Sequence, residues 1–124
     1  MAKKILVAED NEMNRILLRD ILVYYSYEVI EADNGEQCVK LAKEHIPCLI
    51  LMDIQMPVMD GFTALRVLRT APDTMSIPVI AITSFAMDCD RKKIMEAGFD
   101  EHISKPIDTR HLPELVKNFM REDS

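Results

Sequence analysis

Short apolar runs alternate along this chain with longer segments in which apolar residues recur every three or four positions. The short runs have the length of β-strands: KILVA, YEVIEA, CLILMD, PVIAIT and FDEHIS. The longer segments have the spacing of helices that bury one face. Strands alternating with helices are typical of βαβ units around a parallel sheet, so the pattern predicts an α/β fold with five strands and five helices.

The first half of the chain predicts two helices and a central strand. The first helix is predicted to bury one face made of Met13, Ile16, Leu17, Ile21 and Tyr24. The second is predicted to begin at an Asn-Gly turn and end at Pro47, with an inner face of Val39, Leu41, Ala42 and Ile46. CLILMD is apolar on consecutive residues, which is typical of a central parallel strand covered on both faces.

Three further helices are predicted in the second half. The third carries Leu65 and Leu68, and the fourth covers about residues 87–97, with Gly98 placed to cap its end. Thr109 is the predicted N-cap of the last helix, because Ser, Thr, Asp and Asn are favoured at that position. The inner face of this helix is predicted from Leu112, Leu115, Val116 and Phe119.

Length and composition predict one soluble domain. The chain has 124 residues, of which 48% are hydrophobic and 29% charged, so residues 1–124 are predicted to form a single domain without an output domain. Its longest apolar runs are too short to span a membrane. The N-terminus lacks the long apolar stretch of a secretory signal. These features predict a cytoplasmic protein that does not associate with membranes.

Charge and cysteine content exclude further classes of function. Asp and Glu total 21 against 15 Lys and Arg, a formal charge of −6, which would repel a nucleic-acid backbone. The three cysteines, Cys38, Cys48 and Cys89, are widely spaced and odd in number. They predict neither a disulfide framework nor a metal site, and are expected to be core or half-buried residues.

Polar residues follow four of the predicted strands. Glu9 and Asp10 follow the first, Asp53 ends the third, and Thr83 with Ser84 ends the fourth. Lys105 follows the fifth. In open parallel sheets the loops at the carboxyl ends of the strands converge and bind ligands. These residues are therefore expected to form one site.

The residue types of this site predict phosphoryl chemistry with a divalent cation. Three crowded carboxylates repel one another by about 4 kcal/mol per close pair at an effective dielectric near 20. Mg²⁺ relieves such repulsion and keeps ligand positions for phosphate oxygens. The Thr83 hydroxyl and the Lys105 ammonium can hold the remaining phosphoryl oxygens. Asp53 is the preferred acceptor because it ends the most apolar strand, whereas Asp10 is better placed to bind metal.

Four stretches carry a resemblance that covers nearly the whole chain: ILVAEDN, LILMDIQMPVMDG, AITSFA and HISKP. They resemble the receiver domains of bacterial two-component response regulators, in the CheY-like superfamily. The resemblance implies a three-layer (βα)5 fold, a doubly wound parallel sheet with the flavodoxin-like strand order 2-1-3-4-5. It also implies a signalling switch that catalyses only its own phosphorylation and dephosphorylation.

Site roles and partners follow from the same resemblance. It implies that Asp53 accepts the phosphoryl group, that Thr83 and Lys105 bind it, and that the bond before Pro106 is cis. It implies a Mg²⁺ site made of Asp10 directly, Glu9 mainly through water, Asp53, and the backbone carbonyl of Gln55. The donor would be a histidine kinase or a histidine phosphotransfer protein. A downstream protein would bind the face of strands four and five, and phosphorylation-dependent dimerisation is left open.

Two residues depart from the pattern of these receivers. His102 stands three residues before Lys105, where the family usually has a Tyr or Phe that rotates inward on phosphorylation. His102 is therefore either a switch residue sensitive to pH or a half-exposed strand residue, and the second is favoured slightly. Ser26 stands where many relatives have a Gly that caps the first helix, a minor structural change.

Three alternative functions remain to be weighed. A Mg²⁺-dependent aspartyl-phosphate phosphohydrolase would need a second acid to protonate the leaving group, and the residue two after Asp53 is Gln55. A flavin carrier of the same topology would need a phosphate loop rich in Ser, Thr and Gly, whereas EDNEMN is acidic. A binding module independent of phosphorylation would retain the site without using it.

Overall fold

The computed structural model of the protein describes residues 3–84 and 88–120. They contain one sheet of five strands: β1 (Lys4–Ala8), β2 (Glu28–Ala32), β3 (Leu49–Asp53), β4 (Val79–Thr83) and β5 (Glu101–Ser104). Five helices connect and follow them: α1 (Glu12–Tyr24), α2 (Gly35–His45), α3 (Gly61–Thr70), α4 (Asp88–Ala97) and α5 (His111–Met120). The order is β2-β1-β3-β4-β5 with all neighbours parallel. The predicted α/β fold and strand order are confirmed.

The sheet separates two apolar cores. One lies beneath α2, α3 and α4 and the other beneath α1 and α5. Every residue of β3 and β4 is buried, as predicted for central strands covered by helices on both faces. Their carboxyl ends are therefore firmly placed in the middle of the sheet. Within the two described ranges, no helix has the length and apolar character needed to cross a membrane.

The predicted strand boundaries agree with the observed ones to within two residues. The largest difference is at β5, which begins at Glu101 rather than at Phe99. Just before it, the carboxylate of Asp100 accepts the Val79 N–H at 2.7 Å and pairs with Arg69 at 3.1 Å. The Asp100 side chain thus provides the hydrogen-bond acceptor for the first N–H of β4. Met87, predicted as the start of the fourth helix, lies outside the described residues.

The predicted buried face of α1 is wrong at Met13, Leu17 and Tyr24, whereas Ile21 is half-buried and packs against the core, as predicted. The buried residues of this helix are Leu18 and Leu22, whereas Met13 is 81% and Tyr24 80% exposed, and Leu17 is also exposed. Apolar residues lie around most of the circumference of α1, so their periodicity is compatible with more than one face. Packing against the sheet selects the face one residue further along the chain.

The predicted inner face of α2 is confirmed at Val39 and Ala42 and wrong at Ile46. Val39 and Ala42 are buried, whereas α2 ends at His45 and Ile46 is 45% exposed. Ile46 adopts a left-handed conformation with φ of 44°, and its N–H donates to the Ala42 carbonyl. The chain therefore leaves the helix one residue before Pro47.

Asp108, not Thr109, caps the N-terminus of α5. The Asp108 carboxylate accepts the N–H groups of Arg110 at 2.9 Å and of His111 at 3.2 Å. These backbone hydrogen bonds lower the pKa of Asp108 below its ordinary value. A carboxylate interacts more favourably than a hydroxyl with the positive end of a helix dipole. The sequence prediction chose the wrong one of two neighbouring cap residues.

Ser26 has φ of 72° and donates its N–H to the Val23 carbonyl, so it occupies the helix-ending position that favours glycine.

The side chains of two of the three cysteines lie in the described part of the structure. Cys38 is buried, and burial raises its pKa to about 12. Cys48 is half-buried. The expectation of core or half-buried thiols is confirmed for these two, and the Cys89 side chain lies outside the described part.

Gly35 holds the loop that follows β3 against the start of α2. Its N–H donates to the Met59 carbonyl oxygen at 3.1 Å. A Cβ at position 35 would lie 2.1 Å from that oxygen. The loop itself is tightly turned at Val58, where φ is 67° and the Met59 N–H donates to the Pro57 carbonyl at 2.7 Å. The backbone has little freedom to retreat.

We expect Gly35→Ala to lower the free energy of unfolding by about 1 to 3 kcal/mol, because the added methyl group collides with backbone. Urea denaturation monitored by circular dichroism measures the change. Lys40→Ala, at an exposed position of the same helix, is the control and should stay within about 0.5 kcal/mol of the parent. Equal stability of both variants would contradict the tight contact.

Candidate functional site

The carboxyl edge of the sheet brings the three predicted acids together. Carboxylate oxygens of Glu9, Asp10 and Asp53 all lie within 4.8 Å of one another. Glu9 and Asp10 follow β1, and Asp53 ends the adjacent β3, with Ala8 of β1 paired to Met52. The convergence follows from the parallel pairing of these strands. The predicted acidic cluster therefore exists in space.

Asp53 is fixed at both its backbone and its carboxylate. Its side chain is 3% exposed; Oδ1 accepts the Gln55 N–H at 2.9 Å, and Oδ2 lies 2.7 Å from Lys105 Nζ. Gly61 packs so closely behind it that a Cβ there would be 2.8 Å from the Asp53 carbonyl oxygen. A carboxylate this constrained presents its oxygens in one orientation.

Glu9 is a fully buried carboxylate with incomplete pairing. Its Oε1 lies 2.9 Å from Lys105 Nζ, and its Oε2 accepts no hydrogen bond from any residue in the described ranges. Burial and the neighbouring Asp53 raise the pKa of Glu9 to about 7, although Lys105 opposes the change. A buried carboxylate oxygen without a hydrogen-bond donor, beside two further carboxylates, is suited to bind a hard divalent cation such as Mg²⁺.

Lys105 bridges the two buried acids. Its Nζ contacts Asp53 at 2.7 Å and Glu9 at 2.9 Å. Burial works against the charge of this ammonium, but the hydrogen bonds to both acids outweigh it and raise the pKa of Lys105. The Lys105 N–H donates to the Thr83 carbonyl at 2.8 Å, and the bond to Pro106 is cis, as the resemblance implies.

Thr83 and Gln55 border the same edge. Thr83 is buried at the end of β4, which pairs directly with β3. Ser84, which follows it, is exposed. Gln55 contributes its N–H to the Asp53 carboxylate, a contact that sequence reasoning did not predict. The roles of Thr83 in binding a phosphoryl group and of the Gln55 carbonyl in binding metal stay predictions.

His102 lies on β5 opposite Ala81 and is half-buried. Its Nδ1 is buried without a hydrogen bond inside the described ranges, although Glu101 Oε1 lies 3.4 Å away. The favoured interpretation as a half-exposed strand residue agrees with this exposure. Its role as a switch residue stays a prediction.

Arg15 is the residue near this site that sequence reasoning missed. Its Nη1 donates to the Glu9 carbonyl at 2.9 Å, and its Nε donates to Glu31 at 3.2 Å. Its position could have suggested a contact with the acidic loop, because Arg15 lies in the first turn of α1, four residues after the N-cap Asn11. Sequence alone did not indicate which way its side chain points.

Comparison with known proteins agrees with this arrangement. The family described as "Response regulator receiver domain" matches residues 5–117. The polar-differentiation response regulator DivK of Brucella anthropi is 41% identical over 120 residues, which cover 97% of this chain and 98% of DivK. DivK of Brucella ovis is 40% identical with the same coverage.

Solved structures of receiver domains have the same fold. The receiver domain of the sensor histidine kinase PA1611 from Pseudomonas aeruginosa, described with a magnesium ion coordinated in its active site cleft, superposes with a TM-score of 0.88. It is 30% identical, and the match covers 96% of this chain and 98% of that one. A signal receiver domain of a histidine kinase from Syntrophus aciditrophicus has a TM-score of 0.87 at 34% identity, over 95% and 89% of the two chains. Sequence, fold and site together place this chain in the response regulator receiver domain family of two-component signalling proteins.

Proposed function

We propose that this receiver accepts a phosphoryl group on Asp53, with Mg²⁺ held by Glu9, Asp10, Asp53 and the carbonyl of Gln55. The observation that carries the proposal is the Asp53 carboxylate itself. It is buried and fixed in orientation, one of its oxygens lies within 4.8 Å of carboxylate oxygens of Glu9 and Asp10, and its Oδ2 lies 2.7 Å from the Lys105 ammonium. A nucleophile, a cation site and a fixed positive charge thus meet at one point.

The transfer forms one bond and breaks one. An Asp53 carboxylate oxygen bonds to phosphorus while the P–N bond of a phosphohistidine breaks, and the electron pair of that bond stays on the imidazole. The donor would be a histidine kinase or a histidine phosphotransfer protein. Lys105 and Thr83 would hold phosphoryl oxygens. Bound Mg²⁺ would supply neutralisation of the charge on these oxygens, which is the main requirement of phosphoryl transfer.

The signal would leave as a change of conformation. The phosphoryl group brings a charge of about −1.5 to −2 to the carboxyl edge. Thr83 and Lys105 end or follow β4 and β5, so their movement toward that group would alter the β4–β5 face, where a downstream protein would bind. His102, on this face, would take the place of the usual aromatic residue. Catalysis by the domain would be limited to its own phosphorylation and dephosphorylation.

Domain organisation and cellular location are part of the same proposal. The family match over residues 5–117 and the coverage of 98% of DivK support one receiver domain in this sequence. A cytoplasmic location is proposed because histidine kinases present their phosphoryl donor there. The phosphohydrolase alternative gains no support, because the residue two after Asp53 uses its N–H to bind that aspartate and offers no acid.

We expect acetyl phosphate with Mg²⁺ to add one phosphoryl group to the purified protein, because the site supplies its own nucleophile and electrostatic stabilisation. Intact mass spectrometry measures the addition, and EDTA should abolish it. No added mass over a range of Mg²⁺ concentrations would contradict the proposal. Sustained release of phosphate from small phosphomonoesters would instead favour the phosphohydrolase.

A further inference from the structure

The backbone of Glu9, which leads into Asp10, is held by two hydrogen bonds to other parts of the fold. The Glu9 N–H donates to the Ala32 carbonyl of β2 at 3.0 Å. Its carbonyl oxygen accepts Arg15 Nη1 at 2.9 Å. This carbonyl belongs to the peptide plane that leads into Asp10, so Arg15 sets the direction in which the chain continues.

Asp10 depends on that direction more than the other two acids do. It is exposed, and it makes no hydrogen bond or ion pair of its own with residues 3–84 or 88–120. Glu9 and Asp53, by contrast, are both buried and both contact Lys105. The orientation of the peptide before Asp10 is therefore the main structural restraint on its carboxylate.

Arg15 is itself held in place by a second contact. Its Nε donates to Glu31 Oε1 at 3.2 Å, and its side chain is 19% exposed. Glu31 belongs to β2, so the guanidinium connects α1, the acidic loop and the edge strand. Hydrogen bonds from an ionised donor are about twice as strong as neutral ones. The fork geometry of Arg allows both contacts at once, which a Lys ammonium cannot reproduce.

We propose that Arg15 is a positioning residue of the cation site: it fixes the Glu9–Asp10 backbone and thereby sets the affinity of the three acids for Mg²⁺. The inference rests on the proposed function, which supplies the cation. Arg15 does not act as a ligand. Residues that orient metal ligands typically change metal affinity ten- to a hundredfold when replaced.

Arg19 provides a matched control. It lies one turn further along α1 and also pairs with Glu31, through Nη1 at 3.5 Å, but no contact joins it to Glu9 in the described structure. Replacing either arginine by Met removes one positive charge near the acids. That loss of charge alone would strengthen Mg²⁺ binding. Weaker Mg²⁺ binding in Arg15→Met could therefore not be explained by the lost charge, which would make binding tighter.

The test is a Mg²⁺ titration by isothermal calorimetry of the parent protein, Arg15→Met, Arg15→Lys and Arg19→Met. We expect about a tenfold or greater loss of affinity in Arg15→Met, a smaller loss in Arg15→Lys, and unchanged or tighter binding in Arg19→Met. Thermal unfolding tests whether each variant is folded. If Arg15→Met is not, Arg15→Lys, which keeps the charge but only one contact, decides the question.

Kinetics provide a second measurement. With acetyl phosphate, the Mg²⁺ concentration that gives half-maximal phosphorylation should be higher for Arg15→Met than for the parent. The rate at saturating Mg²⁺ should stay within about twofold of the parent, because Arg15 affects the Mg²⁺ affinity of the site and does not contact the reacting groups. Equal Mg²⁺ affinity in Arg15→Met and Arg19→Met would overturn the positioning role while leaving the proposed function intact. A parent protein that binds no Mg²⁺ would overturn both.

Discussion

Asp53→Asn is expected to take up no phosphoryl group from acetyl phosphate at any Mg²⁺ concentration. The substitution replaces the nucleophilic oxygen by a neutral amide that cannot form an acyl phosphate. The Asn side-chain oxygen can still accept the Gln55 N–H, which Asp53 binds at 2.9 Å, so the variant should fold. Intact mass spectrometry, with circular dichroism as the test of folding, measures the result.

Asp60→Asn is the matched control for this loss. Asp60 lies in the loop that follows Asp53, is exposed, and caps α3 by accepting the Thr63 N–H at 2.8 Å. Asn caps helices about as well as Asp, so this variant should be phosphorylated like the parent. Phosphoryl uptake by Asp53→Asn at the parental rate would place the acceptor elsewhere, with Asp10 the first alternative.

Lys105→Met is expected to lower the free energy of unfolding by about 3 kcal/mol above neutral pH, where both acids are ionised in the parent, in the absence of Mg²⁺. Removing one partner of a buried charge pair leaves the other charge without compensation. Here two carboxylates lose the same ammonium, which lies 2.7 Å from Asp53 and 2.9 Å from Glu9. Their mutual repulsion and their burial then oppose folding together.

The destabilisation of Lys105→Met should depend on pH. Burial raises the pKa of Glu9 from 4.5 to about 7 in the parent, and Lys105 works in the opposite direction, so the pKa should rise further without it. A folded state with a raised carboxyl pKa binds more protons than the unfolded state, and its stability falls as pH increases between the two pKa values. The deficit should therefore change little between about pH 5 and pH 7, where Glu9 is protonated in both folded proteins, and should grow above about pH 7, where only the parent ionises Glu9 readily.

Urea denaturation at several pH values, with and without Mg²⁺, measures these effects. Mg²⁺ should restore much of the lost stability, because it supplies positive charge to the same acids. Lys40→Met, at an exposed position of α2, should change stability by less than about 0.5 kcal/mol at every pH. A deficit in Lys105→Met that is independent of both pH and Mg²⁺ would mean that lost packing, not lost charge, is responsible.

The identities of the site residues were predictable from the sequence, but their contacts were not. Strand-length apolar runs, each ending in a polar residue, placed Asp53 and Lys105 at one edge of a parallel sheet. No pattern in the sequence indicated that Lys105 would bridge Glu9 as well as Asp53. The number of partners of a flexible side chain depends on distances between loops, which local periodicity does not encode.

The α/β fold could be predicted from the sequence, with its elements to within a few residues and the groups at the carboxyl edge, because strand and helix periods are local properties and parallel strands end at one edge. The folded arrangement was needed to show that α1 buries Leu18 and Leu22, that Asp108 caps α5, and that Arg15 holds the Glu9 backbone. In each case the sequence offers several neighbouring residues of suitable chemistry. Packing between elements distant in the chain selects one of them, since only that arrangement excludes water and satisfies the buried polar groups together.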